Sequence, residues 1–339
     1  MRTFGIAGLA TLFLSCFIAV GQKNPAAPLR LDRQIELPAI HGGFDHFAFD
    51  ESTEQLFLAA SDQGVVEAIG FPDGQVRDVL GFTNPHSILV QPASSRILVT
   101  DSGPGASAFV DSKKLKVIRR LPLALGANCI LDDPLRHRAY VTAGGDRVHL
   151  AESTLQSIDT DSGRIVASTS VSALHLQPMA FDASTSRLFV NMADQDTIAI
   201  FDGTTLRRLG TWKLPMGHKN SPIVLDLERH RLFVVATDPG ILMQLDSNTG
   251  VLEASVTTPL TPDDISFDRA TERIYVPGDG ALAVFDASGS GSIRLLQQIE
   301  TGPGARTGML IDSKQRFVVA VPSSGANSPA RIMVFVVVK

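Results

Sequence analysis

Polar turns alternate with short apolar bursts along almost the whole chain, and the bursts return at a nearly fixed interval. Seven times an Arg or Gln follows a polar turn and opens a run of strand-forming residues. The runs are Gln55–Leu58, Arg96–Val99, Arg138–Val141, Arg187–Val190, Arg231–Val234, Arg273–Val276 and Arg316–Val319. Counted on the Arg or Gln, successive copies lie 41, 42, 49, 44, 42 and 43 residues apart. A period of about 40–45 residues, with several strands in each period, is the signature of a β-propeller.

The fourth unit shows the pattern within a period. Met179-Ala180-Phe181 reads as a short inner strand, Arg187 to Asn191 as the second, Thr197 to Phe201 as the third and Leu206 to Leu214 as the outer one. The turns between them are rich in Asp, Ser, Thr and Gly, which set the bounds of strands. Third strands in several units end on an Asp (Asp111, Asp159, Asp202, Asp246, Asp286), placed to accept backbone N–H groups of the following turn. These recurring aspartates read as scaffold. The last unit, from about Thr307, holds only three strands. A spare strand with alternating character, Leu31 to Pro38, precedes the first. Pairing the two termini would close the ring and leave no raw sheet edge. The expectation is an all-β protein, a seven-bladed β-propeller whose N-terminal strand completes the last blade.

Composition narrows the setting. The chain is 44% hydrophobic and 19% charged, enough for a sizeable core and unlike a disordered sequence. Arg2, the apolar stretch Ile6 to Val20 and the small-x-small Ala19-Val20-Gly21 predict an export signal over residues 1–21. A short linker (22–30) and one propeller domain (31–339) follow. The apolar stretch is too short for a good membrane span. The expected location is therefore the periplasm or the exterior, with a lipid anchor at Cys16 as the lesser option. With 30 basic against 35 acidic residues and no basic block, nothing favours nucleic acid or an anionic membrane. Cys129 is the one cysteine beyond the leader; it cannot form an internal disulfide and reads as a small core residue. Without Cys-x-x-Cys-His there is no c-type haem motif.

Leu188-Phe189-Val190-Asn191 followed by Asp196-Thr197-Ile198-Ala199-Ile200-Phe201-Asp202, and Ala139-Tyr140-Val141-Thr142, resemble the repeats of the YncE-like, or YVTN, β-propeller family. The likeness runs over essentially the whole chain beyond the leader and is tightest in the fourth unit; most other units lack the Tyr or the Asn. The resemblance implies a propeller, commonly an exported bacterial one, and no single reaction.

In a propeller, the inter-blade connections and the hairpins between second and third strands share the face around the channel mouth. His41, His46, His86, His175, His218 and His149 fall on that face, whereas His137 and His230 fall in the opposite turns. Counting back from Asp50, Gln91, Asp132, Asp182, Asp226, Asp268 and Asp312 sets His46, Asn128 and Asp264 at one equivalent position. Asp45, His86, Gln177 and Asp263 stand just before it. With His218 and Arg306 these are the candidate ligand-binding residues, and Pro178, Pro222 and Gly308 share the inner ring. Such groups suit a polar organic ligand or a divalent cation with open coordination positions. Exposed loops are polar by default, and no His-x-His or His-x-x-x-His motif occurs.

The third unit departs from its neighbours. Tyr140 to Asp159 spans 19 residues where equivalent segments of the second, fourth and fifth units span 13. The excess lies within Gly144 to Thr154 and carries Asp146, Arg147, His149 and Glu152; it is either a neutral loop extension or a lid. There is no Gly-x-Ser-x-Gly, and Trp212 is the sole tryptophan, which argues against WD40 and Trp-rich quinone propellers. Two functions remain. One is a non-catalytic exported monomer holding a small molecule, or an envelope protein or peptide, at the channel mouth. The other is a metal-assisted hydrolase or lyase of the lactonase type, using His46, His86, Asp45 and Asp264.

Overall fold

The repeat folds as seven four-stranded antiparallel sheets arranged in a ring. The computed structural model describes residues 27–72, 74–325 and 328–339; the expected leader, and Cys16 within it, lie outside them. Inner strands of neighbouring blades touch in cyclic order from the first blade to the seventh and back to the first. The ring closes as expected, by strand pairing: the N-terminal strand Leu29–Leu37 pairs antiparallel with Ala330–Val337, the third strand of the last blade. It starts two residues earlier than its alternation suggests. A bulge between Leu31 and Arg33 shifts the register, so Leu29 and Leu37 are buried while Leu31 is exposed.

The Arg–apolar runs are the second strands. Their third residue (Phe57, Leu98, Tyr140, Phe189, Phe233, Tyr275 and, in the last blade, Val318) is fully buried in every blade. Each such aromatic contributes on the order of 1.5–3 kcal/mol by leaving water. The leading Arg folds back on its own blade. Arg231 pairs with Asp226 at 2.6 Å and lies over the Phe233 ring, and Arg187 repeats the arrangement with Asp182 and Phe189. The third-strand aspartates are scaffold: Asp246 Oδ1 accepts the N–H groups of Asn248 (2.9 Å) and Thr249 (2.7 Å).

The first strand of each blade ends opposite the leading Arg or Gln of the second. The pairs are Asp50 with Gln55, Gln91 with Arg96, Asp133 with Arg138, Asp182 with Arg187, Asp226 with Arg231, Asp268 with Arg273 and Ile311 with Arg316. The third and seventh blades therefore count from Asp133 and Ile311, not from Asp132 and Asp312. That one-residue correction rearranges the ring. The uppermost rank becomes Asp45, His86, Asn128, Gln177, Ser221, Asp263 and Arg306. The next holds His46, Ser87, Cys129, Pro178, Pro222, Asp264 and Thr307. Asn128 thus leaves the rank of His46, and Cys129 takes its place.

Candidate functional site

Regular pairing of the inner strands begins one step below these two ranks, at Phe47, Ile88, Ile130, Met179 and Ile223. In the second, fourth and fifth blades the register slips between Pro85 and Ile88, Leu176 and Met179, and Asn220 and Ile223. Pro178 and Pro222 lack the N–H a ladder needs. Local irregularity at this level re-aims side chains at the channel, a usual role for bulges. A cavity of about 170 Å³ opens at the mouth, lined by Asp45, His46, Asn128, Arg147, Gln177, Pro178, Ser221, Asp263 and Arg306. Beneath it, sharing His46, Pro178 and Asp263, a second of about 210 Å³ runs into the channel past Cys129, Asp264 and a ring of Ile and Met.

A chain of ionisable groups crosses the mouth. His46 Nδ1 meets Asp264 Oδ1 at 2.7 Å and Nε2 meets Asp45 Oδ1 at 3.1 Å. Asp45 Oδ2 accepts from His86 Nδ1, and Asp264 Oδ2 accepts the Gly308 N–H at 3.0 Å. Blades 2, 1, 6 and 7 are thereby tied together across the seam of the ring. With a carboxylate against each nitrogen, the His46 ring is an imidazolium donating from both. Burial works against its charge, yet Asp264 and Asp45 hold its pKa well above the ordinary imidazole value. Burial likewise opposes a charged Asp45, but His46, His86 and Arg147 outweigh it and keep the carboxyl well below the usual range.

Asp263 behaves in the opposite way. Arg306 Nε lies 2.6 Å from its Oδ2, but the Arg306 side chain is 50% exposed and its charge is screened. Burial, with Asp45 and Asp264 nearby, pushes the Asp263 pKa up to about 7 against Arg306 and His46. Carboxyls of one mouth are thus driven in opposite directions, a pattern concentrated at functional sites. Beside this engaged half stands a free one. The side chains of Asn128, Gln177, Ser221 and Arg147 make no hydrogen bond or ion pair with the protein among the described residues.

Eight of the nine candidate residues come together: Asp45, His46, His86 and Asp264 in the network, Asn128, Gln177, Asp263 and Arg306 around it. His86 is buried, and among the described residues its Nε2 finds no partner. His218 stays apart. The inner strand of the fifth blade is long (His218–Asp226), so His218 stands three ranks above Ser221. There it pairs with Asp196 at 2.6 Å, its side chain 69% exposed. Sequence reasoning missed Ser221 and Arg147 as lining residues and placed Cys129 in the core, where it does pack with Tyr140 and Leu155. Cys129 is buried, but it faces the channel with its thiol against the His46 ring.

Arg147 comes from the insertion of the third blade, which folds inward over the mouth. Its base is pinned: Gly145 N–H donates to Glu152 O at 3.0 Å, Asp146 N–H to Leu174 O at 3.3 Å, and the Asp146 carboxylate pairs with His175. Gly145 has φ +70°, and a Cβ there would lie 1.9 Å from Leu174 O. Only glycine permits this approach. Among the described residues no group of three or more His, Cys, Asp and Glu side chains is placed to hold a metal ion. The carboxylates of the mouth are turned to imidazole and guanidinium instead.

No protein-family model matches the chain, and no curated protein matches it. Among solved structures, one described as "Crystal Structure of Mitotic Checkpoint Complex" superposes with a TM-score of 0.74 at 13% identity. The match covers 100% of this chain and 99% of that one. At this identity the likeness is one of fold, a seven-bladed propeller. No helix among the described residues is long and apolar enough to cross a membrane.

Proposed function

We propose that this is an exported, YncE-like propeller that binds a small polar ligand at its channel mouth and does not transform it. The observation that supports this reading is the division of the mouth cavity. One half is a fixed ionic network that needs no ligand. The other half is a set of donors and acceptors, Asn128, Gln177, Ser221 and Arg147, that the protein itself leaves unmatched. A few convergent polar groups in a preformed concavity is the usual anatomy of a small-molecule site. Cavities of about 170 and 210 Å³ fall below the roughly 300 Å³ of drug-sized pockets, which points to a compact ligand. The export signal predicted over residues 1–21 and the YVTN-like repeats support the family and location in this proposal. The metal-assisted hydrolase reading needs a ligand set that the described residues do not assemble.

A thermal-shift screen of the purified protein against small acids, amines, sugars, short peptides and divalent cations tests the reading. The expected result is a compound class that raises Tm in the native protein and fails to do so in Asn128→Ala/Gln177→Ala. A shift that survives the double substitution would place the ligand elsewhere. Turnover of the compound, or a stoichiometric metal in protein purified without chelator, would favour the hydrolase.

A further inference from the structure

Resting on that reading, we infer that the ligand is a small hydroxylated organic acid whose carboxylate is received by Arg147 of the third-blade insertion. Most charged groups of the mouth are engaged by one another. Asp264 and Asp45 clasp His46, and Asp45 also takes a hydrogen bond from His86. Arg306 lies against Asp263, its Nε 2.6 Å from Oδ2. Arg147 is the one guanidinium lining the cavity without an ion-pair partner among the described residues; it acts on Asp45 only through space. A planar fork of N–H donors left open in a concavity is suited to a carboxylate, which it engages bidentately. The groups beside it set the rest of the ligand. Asn128 and Gln177 each offer both a donor and an acceptor, as does the Ser221 hydroxyl, and hydroxyl groups answer all three. Of the described side chains lining the mouth only Pro178 is apolar, so a greasy body gains little there.

The insertion is built to hold Arg147 in place. It is anchored to the connection between blades 3 and 4 by the Asp146 N–H bond to Leu174 O and the Asp146–His175 pair, and Val148 packs on Gly126. Six residues beyond the ordinary hairpin length carry Arg147 over the channel mouth on a pinned backbone. That is the lid alternative of the two the sequence left open, with Arg147 as its working residue.

The test is calorimetric titration of the full protein, at pH 6.5 and low salt, with sodium gluconate and sodium lactate. Glucose, ethanolamine and inorganic phosphate serve as neutral, cationic and non-carboxylate comparisons. Gluconate is expected to bind, with glucose and ethanolamine at least tenfold weaker. Arg147→Ala should weaken gluconate at least tenfold and Arg147→Lys by less, the thermal midpoint without ligand staying within a few degrees. Gly145→Ala, which must push the insertion off Leu174, should reproduce the Arg147→Ala loss. Equal gluconate affinity in Arg147→Ala, phosphate binding tighter than both acids, or no binding by either acid would overturn the inference. Glucose or ethanolamine binding that depends on Asn128 and Gln177 but not on Arg147 would overturn the acid class and leave the mouth as a ligand site.

Discussion

At the scale of single residues, this protein sorts its charges by whether the fold completes them. The aspartates at the ends of third strands are held by turn N–H groups and belong to the scaffold. Those of the mouth are held by imidazole and guanidinium from other blades. Replacing Asp264 with Asn should destabilise the fold by about 2 kcal/mol, the usual value of a hydrogen bond to a charged group, read as the shift in urea midpoint. Because the folded-state pKa of His46 is raised, its stabilisation is complete below the unfolded value near 6.5 and fades as pH rises through the raised value. The cost of Asp264→Asn should therefore shrink at high pH; a cost that grows with pH would contradict the assignment. Glu67 gives a slope of the same sign from a different cause, burial rather than pairing. It is buried in the third strand of the first blade, and burial with Asp78 opposite raises its pKa to about 7. The folded state keeps a proton that the unfolded chain releases above about 4.5, so stability falls as pH climbs from there to 7. Glu67→Gln should flatten that fall in urea midpoints taken between pH 5 and 8, and an unchanged slope would rule the explanation out.

At the scale of elements, the strands were legible and the fine register was not. Periodic Arg–apolar runs can hardly be anything but buried second strands, since their aromatic position is sealed in every blade. Phe189→Ala should cost about 3–5 kcal/mol, measured by chemical unfolding. The inner strands carry a weaker signal, because Asp132 and Asp133 stand side by side and either can end a strand by its chemistry. Only pairing with Arg138 decides it, and the choice sets Cys129, a core residue, level with His46 at the channel wall. His218 was misplaced for a related reason: nothing local announces that the fifth inner strand runs three residues further than the mouth. The insertion was visible as excess length, but its direction was not. Arg147 is aimed by a backbone bond to Leu174 and by a close approach only Gly145 allows, both long-range facts. The N-terminal strand, by contrast, was readable from the missing fourth strand of the last blade. Deleting residues 29–37 bares the edge Ala330–Val337, and the expected outcome is aggregation with loss of a single cooperative melt. A monomeric, cooperatively melting truncation would refute the closure role.

At the scale of the molecule, the seven-fold repeat builds a ring, and the departures from repetition fill its mouth. Regular positions of the blades meet their own needs: buried aromatics, capped turns, paired arginines. Asn128, Gln177, Ser221 and Arg147 do not, and they face one cavity. Cys129, just below that cavity and the one cysteine in the described residues, reports on it. The most direct test of the account is the rate at which Cys129 is alkylated by iodoacetamide, followed by peptide mapping, with and without the compound that gives the largest thermal shift. A ligand seated in the mouth caps the channel and should slow the reaction at least tenfold. An unchanged rate at saturating compound would contradict a site at the mouth.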